Sequence, residues 1–368
     1  MDGADYLGDT ERGPWVDQKR RRPTIEQVAK LAGVSITTVS NVLNNHTNAM
    51  RPATRLRVQE AARVLGFHPS QVARSLANRQ TVTVGLVIAE IATPLFFGAV
   101  SVIERVARAS NYNVLLCHAS TASEERDALD LLRENEVAGV IFVSTSDYRD
   151  DGLLDSLAGA IQVVTINRSG TGGAYDRISW DNVQGIAEAV RHLYRLGHRR
   201  IAFLRGPSER QGTDERLQGY RFGLAECGLQ YTDELVASGD YTAEPADWQQ
   251  ATDQLLSAPV RPTAVIASDD SVAAVVMRTA LLRGLRVPDD LAVVGVDDQP
   301  FAQLLNPALT TVRLPIVEAG QHAITLLLER FGDSSRDPVR LKLPVTLVVR
   351  ESCGAAQPQV AAAQTAAE

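Results

Sequence analysis

Cysteine is scarce in this 368-residue chain, long apolar runs are absent, and the short motifs that mark common catalytic sites are missing. Its three cysteines, Cys117, Cys227 and Cys353, lie far apart, and no CxxC pair or Cys/His cluster occurs. That pattern offers neither a disulfide framework nor a zinc site, and it fits a reducing compartment. No stretch approaches the roughly 18 apolar residues of a membrane span, and the acidic N-terminus does not read as a secretory signal. A cytoplasmic protein without a membrane partner is expected. No GxGxxG opens the first strand–helix turn, and there is no Walker A run, GxSxG elbow or HExxH pair. The expectation is therefore not an enzyme, with no metal and no cofactor. His198, in the run GHRR, reads as part of a turn and strand entry.

Net charge is −7, which alone argues against a nucleic-acid partner. Its distribution reverses that. Between Lys19 and Arg79 eleven basic residues face only Glu26 and Glu60, a balance of +9, whereas the first 18 residues carry −4 and the remainder −12. A basic head on an acidic body is what results when one module meets phosphate and the other does not; a merely solvated charged surface is the alternative. Composition is that of a globular chain, 45% hydrophobic and 22% charged, long enough for two or three domains.

The pattern changes along the chain. Residues 1–22 are predicted to be a disordered extension, and the Ala/Gln-rich residues 354–368 a disordered tail. From Thr24 the periodicity is helical. Thr24 and Gln27 form a capping box, with Ile25, Val28 and Leu31 on one face and Gly33 as terminator. Ser35 caps a second helix whose buried stripe is Val39, Val42 and Leu43. A third helix buries Val58, Ala62 and Leu65 and ends at Gly66, and Pro69 opens a short fourth segment. Two short helices around a glycine turn read as a helix-turn-helix. Ile36, Thr37 and Asn41 then face away from the stripe, Asn41 suited to an adenine edge and Ile36 to a thymine methyl. Thr38 and Ser40 offer hydroxyls to phosphates, and Lys19, Arg20, Arg21 and Arg22 supply salt-dependent attraction. A packed helical hairpin with Ile36 in its core is the competing reading.

Beyond Val82 the rhythm is strand, helix, strand. Apolar β-rich runs occur at residues 84–88, 114–117, 140–143 and 163–166, then at 201–204, 264–267 and 293–296, separated by amphipathic helical stretches. The alternation predicts two doubly wound parallel-sheet lobes, with ligand sites beyond the carboxyl ends of the strands.

The runs TIEQVAKLAGVSITTVSNVLN and TRLRVQEAARVLGFHPSQVARSLANRQT, followed by HLYRLGHRRIAFLRGP, RPTAVIASDD, GLRVPDDLAVVGVDD and NPALTTVRLP, together resemble the lactose/galactose repressor (LacI/GalR) family from Pro23 to Ser352. The resemblance implies an all-α helix-turn-helix DNA-binding head (23–68), a hinge helix (69–80) and an α/β core like that of periplasmic binding proteins (81–353). Its first lobe comprises about 81–178 and 314–342, and its second about 179–311 and 343–353. It also implies a repressor acting as a homodimer or tetramer on near-palindromic operator DNA, with a small-molecule effector, a carbohydrate, altering DNA affinity. In the hinge, Arg74 matches a backbone contact and Leu76 a leucine that wedges into the minor groove; packing under the head is the other reading for Leu76.

For the effector, the family positions match Arg216 and Asp297, with Arg210, Asp269, Arg168 and Tyr241 around them and Leu95 and Phe96 stacking from the first lobe. A structural ion pair is the alternative for Arg216 and Asp297. Asp270 is expected to cap the helix after Asp269, and Asp298, Asp181 and Asn182 to be caps and crossings. The position of Arg168 lacks the tryptophan of purine binders, which argues against a nucleobase. Trp180 has no counterpart in this reading. A regulator switched by a partner protein, or a solute-binding protein, are the remaining alternatives.

Overall fold

The computed structural model describes residues 23–43, 50–67, 82–89, 94–143, 154, 161–168, 173–207, 211–239 and 245–355. The chain divides into two units, Met1–Gln80 and Thr81–Glu368.

Three helices make the described part of the first unit: α1 (Ile25–Ala32), α2 (Ile36–Leu43) and α3 (Pro52–Leu65). Thr24 opens α1 with the expected capping box, and Gly33 closes it with φ 64°, a left-handed conformation that glycine takes without a Cβ clash. Ser35 Oγ accepts the Thr38 N–H at 3.1 Å and so caps α2. Gly66 ends α3 at φ 62°. Val28, Val39, Val42 and Val58 meet in the core, joined by Ala29, Ala32, Ala61 and Ala62. Leu31, expected on the inner face of α1, is 54% exposed; Ala29 and Ala32 take that face, because small residues let three short helices approach. Leu65 is only half-buried.

The second unit holds two six-stranded sheets. The first orders its strands β2 (Asn113–His118), β1 (Thr83–Ile88), β3 (Gly139–Val143), β4 (Gln162–Ile166), β5 (Asp176–Trp180) and β11 (Arg340–Leu343), all parallel. The second runs β7 (Val236–Ser238), β6 (Ile201–Arg205), β8 (Ala264–Ala267), β9 (Ala292–Asp297), β10 (Thr310–Arg313) and β12 (Thr346–Val348), with only β12 antiparallel. The inner strands are buried along their lengths, as parallel strands covered on both faces must be. Helices α4 (Phe97–Ala109), α5 (Ala122–Glu134) and α10 (Ile316–Gly332) accompany the first sheet. The second has α6 (Asn182–Arg195), α7 (Gln211–Glu226), α8 (Pro245–Leu256) and α9 (Asp270–Leu282).

The chain passes between the sheets three times, after β5, β10 and β11. Each crossing leaves from a strand's carboxyl end, and β12 begins opposite Arg313, the last residue of β10. The carboxyl edges of both sheets therefore flank the crossings, where open α/β sheets place their ligands. One hydrophobic cluster runs through both lobes, from Val84 and Ile166 to Ile186, Phe203 and Val312, with Trp180 within it.

Helices α6 and α7 lie unusually close. A Cβ on Gly219 would run into the Val183 carbonyl oxygen, and one on Gly223 would come within 2.8 Å of Val190 Cβ. Gly219→Ala is therefore expected to lower stability by about 1–3 kcal/mol through overpacking, outweighing the gain of up to ~1 kcal/mol in helix propensity. Gly332→Ala, where a Cβ meets open space, should leave the thermal midpoint unchanged or slightly raised. Calorimetric midpoints of the two variants check the contrast.

Candidate functional site

The helix-turn-helix presents its outer face through α2. Ile36 is 47% exposed, and Thr37 and Asn41 are exposed beside it. With Val39 and Val42 turned inward, these three side chains share the solvent face of the helix. Thr38 behaves differently from expectation. Its hydroxyl lies 2.9 Å from Ser35 Oγ, inside the helix cap, so it serves the turn before any phosphate. Ser40 is half-buried. Arg74 and Leu76 lie outside the described residues, as do Lys19, Arg20, Arg21 and Arg22.

The second group of side chains gathers at the carboxyl edge of the second sheet. Arg216, on α7, donates from Nη1 to the Ser268 carbonyl at 2.5 Å and from Nε to Asn182 Oδ1 at 3.3 Å. Its Nη2 stands 3.8 Å from Asp297 Oδ1, too far for a hydrogen bond. Asn182, the first residue of α6, also donates to Glu215 at 2.9 Å. Asp297 ends β9 with φ 107°, a conformation strained for an L-residue, and its side chain is 8% exposed. Burial pushes its carboxyl well above the usual carboxylate range, against the pull of Arg216. A guanidinium and a carboxyl group thus face each other, buried and not directly bonded. Such a pair can hold vicinal hydroxyls between them.

The helix cap falls on Asp269, not on Asp270 as expected. Asp269 is the helix cap, accepting the Val272 N–H at 2.8 Å from extended backbone. Asp270 is fully buried beneath β9, accepting the Gln299 N–H at 2.7 Å and the Thr311 hydroxyl at 2.5 Å. The space it occupies exists because residue 295 is glycine: a Cβ there would collide with Asp270 Oδ1. Burial raises the Asp270 carboxyl to about 7, its two hydrogen bonds opposing. Asp298 is structural, bonded to Arg313 and Arg350 at 2.6 Å each. Asp181 caps α6 and pairs with Lys342. His198 Nδ1 lies 2.9 Å from Thr263 Oγ1, which ties the strand entry.

On the first lobe the expected contacts move. Leu95 and Phe96 are buried in the hydrophobic cluster that also holds Trp180, because the 3-10 turn over Pro94–Phe96 aims both inward; Phe97 is the exposed aromatic there. Arg168 is not at an open mouth. Asn167 has φ 53°, so the chain turns after β4 and Arg168 packs over the Phe142 ring, 5.5 Å from its centroid. Its Nη1 donates to both oxygens of Glu125 on α5, at 2.8 and 3.0 Å, with both side chains almost wholly buried. Arg210 and Tyr241 lie outside the described residues. Sequence reasoning passed over Glu125, Ser268, Gln299 and the bonding of Asn182 to Arg216. Ser268 was findable, since it directly follows β8 at the edge where ligands bind.

Comparisons with known proteins agree with this architecture. The pattern described as bacterial regulatory proteins, lacI family, matches residues 24–70, and that of a periplasmic binding protein-like domain matches residues 190–353. The HTH-type transcriptional regulator CelR of Thermobifida fusca is 35% identical over 343 residues, spanning 91% of this chain and 99% of that protein. The solved transcriptional regulator CelR–cellobiose complex is 34% identical with a TM-score of 0.68, covering 90% of this chain and 100% of its own. The Lac repressor dimer bound to operator and the anti-inducer ONPF is 28% identical with a TM-score of 0.81, covering 90% and 99%.

Asp270 makes stability depend on pH. A folded-state carboxyl raised from 3.8 to about 7 binds a proton that the unfolded chain releases. Its contribution is full below pH ~4 and is lost as pH rises through about 7, and buried Asp297 acts in the same direction. Asp270→Asn keeps groups able to meet Gln299 and Thr311 and removes the titration. Urea midpoints at pH 5 and pH 8 should differ less in this variant than in the parent; an equal difference refutes the assignment.

Proposed function

Because the chain belongs to the lacI family of bacterial regulatory proteins, DNA-binding transcription regulators and not enzymes, we propose that it is a cytoplasmic repressor that binds a near-palindromic operator as a homodimer and takes a carbohydrate effector between its lobes. Asn41, Ile36 and Thr37 read base edges in the major groove, and the segment containing Arg74 and Leu76 meets the centre of the operator. The charge division of the sequence supports the DNA half of this reading, since the basic residues concentrate in the head.

One observation carries the effector half: Arg216 and Asp297 stand 3.8 Å apart, buried and unbonded to each other, at the carboxyl edge beside the lobe crossings. A structural ion pair would close that gap, because two desolvated charges gain most from direct contact. A polyhydroxy ligand bridges it, its hydroxyls accepting from the guanidinium and hydrogen-bonding to the Asp297 carboxyl group. The CelR complex with cellobiose supports a sugar as the occupant. Closing the lobes on that ligand moves the strand to which the hinge segment connects, and so changes how two hinges fit the operator.

Two substitutions separate the halves. Operator fragments are first recovered by selection from genomic DNA. Asn41→Ala should then weaken operator binding about tenfold or more in gel-shift titrations, the cost of one bidentate base contact, with random-sequence binding little changed. Equal loss on both DNAs contradicts base reading. Arg216→Ala should bind the operator normally yet lose its response to the sugar that shifts the parent protein. A normal response excludes the proposed site.

A further inference from the structure

Trp180 closes β5 at the first lobe crossing, level with Leu343, which closes β11 at the third. It is 1% exposed, and its indole Nε1 has no hydrogen-bond partner. A buried indole N–H ordinarily has an acceptor, and leaving it without one is destabilising. The unmatched group is not isolated. Ser268 Oγ and Gln299 Oε1 are likewise buried without partners. Ser268 directly follows β8 and Gln299 lies two residues past β9, so both lie at carboxyl ends of strands. Donors and acceptors are both in surplus there, which matches a ligand whose own groups donate and accept.

Charge narrows the ligand further. Among the described residues, Arg168 is paired with Glu125 at 2.8 Å and Arg205 with Asp214 at 3.2 Å, while Arg216, on α7, stands 3.8 Å from Asp297. Asp269 and Asp270 add two more carboxyl groups. Among the described residues, carboxyl groups outnumber guanidinium groups at this edge, so a phosphate or carboxylate would be desolvated there without a matching excess of positive charge. We infer that Trp180 donates its indole N–H to an oxygen of the effector, and that this effector is an uncharged polyhydroxy compound. The inference rests on the effector reading above and adds a hinge contact and an exclusion of anionic sugars.

Full-length protein and its Trp180→Phe variant, which removes the N–H and keeps an aromatic ring, are titrated by calorimetry. The probes are glucose, cellobiose, lactose and maltose against glucose 6-phosphate and gluconate. The expected result is binding within the uncharged set alone, weakened about fivefold to tenfold in the variant. In ¹⁵N-labelled parent protein the Trp180 indole resonance, assigned by its loss in the variant, should move downfield on binding. This readout stands even where the variant folds poorly. Equal affinity in the variant together with an unmoved resonance overturns the Trp180 contact and leaves the effector reading in place. Preference for the phosphorylated or carboxylated sugar overturns the charge argument. Binding by no member of the panel removes the effector reading itself.

Discussion

The guanidinium of Arg216 joins three segments that are distant in sequence. It reaches Ser268 at the end of β8, Asn182 at the first turn of α6, and the space before Asp297 at the end of β9. Its position depends on how closely α7 approaches α6, and that approach depends on Gly219 and Gly223 having no side chains. Asn182 is held in turn by Glu215, a neighbour of Arg216 on the same helix. The site is therefore built by helix packing as much as by strand ends. Asn182 also sits directly after the first crossing, so the same contact that orients Arg216 ties the binding edge to the point where the lobes join.

Beneath this arrangement lies a concentration of acid that a stable core would ordinarily avoid. Asp270 is buried with two donors, Asp297 is buried opposite a guanidinium it does not bond, and both Asp297 and Asp298 have positive φ. Each feature costs stability, through desolvation or backbone strain. The second lobe offsets this with a densely apolar sheet and the Asp298 bonds to Arg313 and Arg350. The first lobe handles charge in the opposite way. Asp176, wholly buried, is bonded by Arg330, Arg336 and the Val339 N–H, which leaves it below the usual carboxylate range and ties α10 and β11 to β5. Saturated charge marks the frame, and unsaturated charge marks the edge proposed for the ligand.

Legibility in the sequence followed burial. Most strands read from it, such as residues 84–88 and 264–267, are apolar runs covered on both faces, the edge strand β2 being the exception. Those missed are short or mixed: DRISW in β5, VAS in β7, TTVR in β10, RLKL in β11 and TLV in β12. Such segments gain their strand character from neighbours, not from their own pattern. The same logic explains the site. Motif position pointed to Arg216 and Asp297, but Glu125 and Asn182 stand out only through a partner 43 or 34 residues away. The cap assignment of Asp269 and Asp270 went the wrong way because one residue of helix onset decides which carboxylate is exposed and which goes under β9.

By itself the sequence determined what depends on local chemistry: the Thr24 capping box, the glycine terminators of α1 and α3, the outward face of Ile36, Thr37 and Asn41, and the alternation that requires parallel sheets. These follow from backbone sterics and the periods of helix and strand, which any short segment carries within itself. Only the tertiary structure decided that Phe96 turns inward, that Arg168 is spent on Glu125, that Thr38 serves the cap, and that Trp180 is buried with its N–H unmatched. Each of those outcomes is set by which atoms arrive from elsewhere in the chain to desolvate or satisfy a polar group. Spacing along a sequence carries no record of that.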